Sequence, residues 1–115
     1  SMAEKEKLEK LLCEKISREL AGFKQETLLK EKEEIYGMAY EIDSIINLYE
    51  LLAEKRNYQE EVLETLIVVP NLLAFLYEEW LSYEDYRRQD FVKYLAQEIH
   101  KMQENRRKGQ EVRTA

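Results

Sequence analysis

Proline occurs once and glycine three times in 115 residues. So few breakers leave no room for the many turns of a β-sandwich or barrel. Cysteine also occurs once, at Cys13, so no internal disulfide can form and nothing ties the chain to an oxidising compartment. His100 is the only histidine, and no glycine-rich loop is present to cradle a phosphate. No apolar run approaches the ~18 residues of a spanning helix, and the start of the chain has no signal-peptide apolar region. A soluble, cytoplasmic protein without a membrane partner is therefore expected. Ser1 before Met2 reads as the remnant of a cleaved tag and carries no weight.

What is present is charge on an apolar frame. Apolar residues make up 44% of the chain, enough for a core, while 37% are charged, above the usual quarter and suited to long exposed helices. The charge is uneven. Residues 1–34 carry eight Lys/Arg against nine Glu, residues 35–99 five against thirteen, and residues 100–115 five against two. An acidic middle with net charge −8 disfavours nucleic acid as a direct ligand, because phosphate binding needs cations. Arg106, Arg107 and Lys108 form the one basic cluster, read as a solvated helix end that favours the macrodipole.

The apolar residues recur at helical spacing. Leu8, Leu12, Ile16, Leu20 and Phe23 predict a first helix over residues 4–29, ending somewhere between Gly22 and Lys30. Lys15 stands where a second seam residue belongs, so this helix is not read as a coiled coil. A second helix is expected from Glu31 to Arg56, with a broad face of Ile35, Met38, Ile42, Ile45, Tyr49 and Leu52 that suits a central position. Asn57 reads as the cap of a shorter helix, Tyr58–Val69, stopped by Pro70. Another short helix, Asn71–Leu81, starts from a capping Asn71. Ser82 with Asp85 three residues on resembles a capping box, opening a last helix over Tyr83–Arg107. That helix is expected to bury Phe91, Val92, Leu95, Ile99 and Met102 and to stop at Gly109. The predicted fold is all-α: a single compact domain over residues 3–108 of four to five amphipathic helices, with two short helices between the long second and last. Residues 109–115 are expected to be a disordered tail.

Reactive constellations are scarce. A carboxylate-bridged metal bundle needs Glu-x-x-His on two helices, whereas Gln97 stands three residues before the lone His100. Glu33-Glu34, Glu60-Glu61 and Glu78-Glu79 are adjacent pairs that diverge around a helix instead of converging. Cys13 falls at the edge of the first stripe and reads as a semi-buried core thiol. His100 falls on a polar face and reads as solvent-exposed. No catalytic, metal or cofactor site is assigned.

The aromatics point elsewhere. Leu72, Leu73, Leu76, Tyr77 and Trp80 share one face and are expected in the core. Phe75 projects from the other side, by Glu78, Glu79 and Ser82. On the second helix Tyr36 and Tyr40 fall off the apolar face beside Asp43, Asn47 and Leu51. Aromatic residues anchor protein interfaces, so Phe75, Tyr36, Tyr40, Asp43 and Asn47 form the candidate partner surface, unless a second layer covers them as core.

The run Glu34-Ile35-Tyr36-Gly37-Met38-Ala39-Tyr40-Glu41-Ile42 and the later Asn71-Leu72-Leu73-Ala74-Phe75-Leu76-Tyr77-Glu78-Glu79-Trp80-Leu81 follow a pattern E-I-x-x-x-A-Y-E-h, then N-x-L-x-x-x-Y-x-x-W-L. With the tyrosine-rich Tyr86-Arg87-Arg88 helix, this resembles a bacterial family of small helical domains of unknown function, over about residues 8–99. The resemblance implies a mobile-element or phage-related accessory protein of gut bacteria, with no known activity. The combined expectation is a non-catalytic protein-interaction domain, binding another protein or a second copy of itself as a homodimer. The alternative is an acidic inhibitor of a nucleic-acid enzyme, its carboxylates imitating phosphate as in anti-restriction and anti-CRISPR proteins.

Overall fold

Six helices run in order: α1 (Met2–Leu28), α2 (Lys32–Gly37), α3 (Ala39–Glu54), α4 (Glu60–Val68), α5 (Leu72–Leu81) and α6 (Tyr86–Thr114). The computed structural model describes residues 1–55, 57–83 and 86–114, with the backbone alone at 86–87 and 111–114. No strand occurs among the described residues. The all-α expectation holds, with six helices in place of four or five. The chain divides into two compact units, Ser1–Ser82 and Tyr83–Ala115, where one domain was expected.

In the first unit α1 packs on α3, α4 and α5, and α3 packs on α5. Every fourth residue of α1 turns the same way, so Leu12 and Ile16 reach the centre, where they meet Ile45, Leu63, Leu72, Leu73 and Tyr77. Leu63 is fully buried and Ile16 and Leu72 are 1% exposed. Each such side chain contributes about 1.5–3 kcal/mol through its removal from water. α3 touches α1, α2 and α5, the several neighbours that its broad face suggested.

The expected second helix is two. α2 ends at Gly37, and Met38, with φ −95° and ψ 9°, makes a tight turn in which its N–H donates to Ile35 O. Met38 O then accepts the Ile42 N–H at 2.8 Å and starts α3. Gly37 is the weak point, since glycine loses about 1 kcal/mol of helix propensity relative to alanine. Arg56, the expected end of that helix, lies outside the described residues.

Asn71 stands at the N-cap position of α5 as expected, Asn57 does not cap α4, and neither side chain makes a capping bond. Asn57 and Asn71 both adopt positive φ, 64° and 50°, and α4 begins later, at Glu60. Asparagine tolerates the left-handed region better than most residues, so it serves here as a turn residue. α1 supplies side-chain caps of its own, at the C-terminus of α4 and the N-terminus of α5. Lys15 Nζ donates to Leu66 O at 2.7 Å and to Val69 O, two carbonyls at the α4 C-terminus. One turn on, Glu19 Oε1 accepts the Leu73 N–H at 2.9 Å, in the first turn of α5. Lys15 Nζ and Glu19 Oε2 lie 3.9 Å apart, with the side chains only 13% and 16% exposed. The residue that spoils a heptad in α1 thus closes the end of another helix.

Ser82 also changes role. Its Oγ donates to Glu79 O at 2.6 Å and its N–H to the same carbonyl, so it ends α5. Asp85, the other half of the predicted capping box, lies outside the described residues.

The second unit is α6 alone. Gly109 does not stop it, and the helix continues to Thr114. The side chains expected to be buried are exposed: Phe91, Val92, Leu95, Ile99 and Met102 all keep half or more of their surface in solvent. Within its own unit α6 has no second helix to bury that stripe against. Among the described residues no helix is long and apolar enough to cross a membrane.

Candidate functional site

Within the first unit, α3 places Tyr40, Asp43, Asn47 and Leu51 along one edge, at the i, i+3, i+7 and i+11 positions of a helical row. The last turn of α5 brings Trp80 to this edge. Trp80 Nε1 donates to Tyr40 Oη at 2.5 Å, and the Tyr40 ring lies 6.3 Å from that of buried Tyr77, tilted by 50°. Tyr40 is thereby held between the core and the surface. Asn47 Nδ2 donates to Asp43 Oδ2 at 3.2 Å, one turn apart on α3.

These residues, with Ser44 and Leu48, line an open groove of about 310 Å³. Leu51 is 64% exposed and Trp80 40% exposed, so the apolar floor is accessible. The Asp43 carboxylate beside the Asn47 amide supplies a polar rim. An aromatic and aliphatic slot rimmed by an acceptor suits an apolar anchor flanked by a cation or an N–H donor.

Three of the five predicted surface residues, Tyr40, Asp43 and Asn47, therefore meet in one groove. The other two do not join them. Tyr36 projects from α2 and is 87% exposed. Phe75 is half-exposed on α5, about 140° around the helix from Trp80 at 100° per residue. Its neighbours Asn71 and Ala74 line a separate, polar-rimmed groove with Arg18, Glu19 and Phe23 of α1, of about 510 Å³. A third groove, about 450 Å³ and almost wholly apolar, lies between Leu20, Phe23 and Leu28 of α1, Ile35 of α2, and Ile42 and Ile46 of α3.

Trp80 is the groove side chain that periodicity misplaced. It shares the core face of α5, but it stands one turn beyond Tyr77, where the helix is about to end. A large amphipathic ring in a terminal turn is the signal that marks it for an edge. Cys13, expected to be semi-buried, is exposed on α1, and His100 is exposed on α6. Among the described residues no group of three or more His, Cys, Asp or Glu side chains is placed to hold a metal ion. Compared with protein-family models, curated proteins and solved structures, the chain matches none.

Proposed function

We propose that this chain is a non-catalytic protein-interaction domain, an accessory protein of the mobile-element kind that its sequence pattern resembles. The α3–α5 groove is its docking surface. The observation that carries this reading is the joining of Tyr40 and Trp80 with Asp43, Asn47 and Leu51 around one accessible slot. Tyrosine and tryptophan are the residues most enriched at binding hot spots, and exposed Leu51 beside them adds an apolar contact. The partner that fits is a protein segment presenting an apolar side chain next to Lys or Arg. Phe75 and Tyr36 extend the accessible aromatic surface outside the groove.

The test is capture of partners from a bacterial lysate by the native chain, Leu51→Asp and Phe75→Asp, each checked for native helix content. A prey retained by the native chain and by Phe75→Asp, but lost with Leu51→Asp, supports the groove. Equal capture by the native chain and both variants overturns it.

A second reading rests on charge. Ser1–Ser82 holds eighteen of the 24 acidic residues, which suits an inhibitor that imitates nucleic acid on a basic enzyme groove. Salt separates the two. A phosphate mimic loses affinity steeply as ionic strength rises, whereas an aromatic anchor responds little.

A further inference from the structure

We propose that α6 pairs with α6 of a second copy as a short, parallel, two-stranded coiled coil. The seam is Val92, Leu95, Ile99 and Met102. In this structure their exposures are 60%, 54%, 52% and 63%, and a unit made of one helix has no core of its own to cover them. An isolated helix in water is marginal unless an amphipathic face is packed.

The spacing identifies the occupant. The steps from Val92 to Leu95, Ile99 and Met102 are three, four and three residues, the alternation of a heptad seam. Val92 and Ile99 then fall at the a positions and Leu95 and Met102 at d. β-branched residues at a with leucine at d favour two parallel strands over higher oligomers. The flanks agree. Ala96 and Gln103 hold the e positions, and Phe91, Glu98 and Asn105 the g positions. A parallel pair therefore sets Phe91 against Ala96 and Glu98 against Gln103 of the other copy, with no like charges opposed across these flanks. Glu98 is also matched by Lys101 of its own helix, Oε2 to Nζ 3.4 Å. Lys93, His100, Lys101, Glu104, Arg107 and Lys108 all fall at the outer b, c and f positions. Such a surface is complementary to itself. Glu98 is the one charge on these flanks, and in a second copy it meets the neutral Gln103, so the surface accepts its own copy without a clash there.

Arg88 and Arg106 take the next seam positions on either side, where a parallel pair sets each against its own counterpart, and they confine the apolar seam to two heptads. The dimer is accordingly weak, reversible in the micromolar range. Its seam shares no residue with the α3–α5 groove, which belongs to the other unit.

Sedimentation equilibrium of the full chain, from about 2 to 500 µM, tests this. The expected result is a monomer–dimer equilibrium. Leu95→Asp weakens it about a hundredfold or more, since two buried leucines are lost per dimer. Gln97→Asp, the same charge change at an outer f position, leaves it within about threefold. Helix direction is read by Val92→Cys in a Cys13→Ser chain, which forms an intermolecular disulfide when the strands are parallel. A native chain monomeric at every concentration overturns the proposal. So does equal weakening by Leu95→Asp and Gln97→Asp, or failure of Val92→Cys to cross-link in a confirmed dimer. A monomer in which Leu95→Asp lowers the melting temperature also overturns it, and shows the stripe covered within its own chain.

Discussion

The two units are built from the same kind of helix and end in opposite conditions. Ser1–Ser82 carries ten Lys/Arg against eighteen Asp/Glu, net −8, and closes its apolar stripes into a core of seven buried apolar residues. Tyr83–Ala115 carries eight against six, net +2, and none of its described side chains is buried. Both have stripes at helical spacing. An amphipathic pattern states that a face wants a partner, and it does not state whether the partner lies in the same chain. What separates the units is the number of helices available to meet the stripe.

That contrast is open to breaking by mutation. The largest effect is expected from Leu63→Ala. It empties a fully buried site and should cost about 2–5 kcal/mol in denaturant unfolding. Leu95→Ala in α6, measured in dilute solution, should change the same transition by less than about 0.5 kcal/mol. Comparable losses from the two would erase the distinction between the units.

Lys15→Met comes next. It removes the donor to Leu66 O and Val69 O and leaves the Glu19 carboxylate half-enclosed without its cation. A loss of about 1–3 kcal/mol is expected. A double-mutant cycle with Glu19→Gln should return a coupling of at least ~0.5 kcal/mol. Additive losses would mean that the two caps act separately.

Tyr40→Phe takes away the acceptor of Trp80 Nε1 at a partly exposed site, so only about 0.5–1.5 kcal/mol is expected. Because Trp80 is the only tryptophan, its fluorescence reports the change directly. An unaltered emission spectrum and stability would show that the hydrogen bond does not hold the edge of the groove.

The smallest effect sharpens the comparison from the other side. A Cβ added at Gly109 or Gly22 meets nothing within 4 Å. Each alanine substitution should therefore stabilise its own helix by up to about 1 kcal/mol. Gly109→Ala should raise helix content without moving the core transition, while Gly22→Ala should shift that transition upward. A Gly109→Ala shift as large as that of Gly22→Ala would tie α6 to the core.

Much of the architecture was legible because local pattern controls it. The scarcity of breakers and the stripe from Leu8 to Phe23 were enough for an all-α chain and for α1. The pre-proline Val69 was enough for the end of α4. Asn71 marked the start of α5 correctly, but Asn57 misled, and neither side chain caps. One residue type serves both as a cap and as a left-handed turn, and the backbone angle that decides between them is set by the surrounding packing. Lys15 was illegible because its acceptors lie 51 and 54 residues away. In the groove, Tyr40, Asp43 and Asn47 follow from the period of α3 alone. Trp80 required knowing where α5 stops against α3. The exposure of the α6 stripe could not be read at all, since spacing is identical for a covered and an uncovered face.

The Lys15–Glu19 pair has a meaning apart from strength. Helix dipoles are directional, negative at the C-terminus and positive at the N-terminus. Lys15 meets the negative end of α4 and Glu19 the positive end of α5, four residues apart on α1. If the α4–α5 segment lay on α1 with its direction reversed, the ammonium would face N–H groups and the carboxylate would face carbonyls. Leucine and isoleucine stripes pack nearly as well either way round. Two charged side chains on a single turn of α1 therefore tell the chain which way to run, a piece of information that the apolar core does not contain.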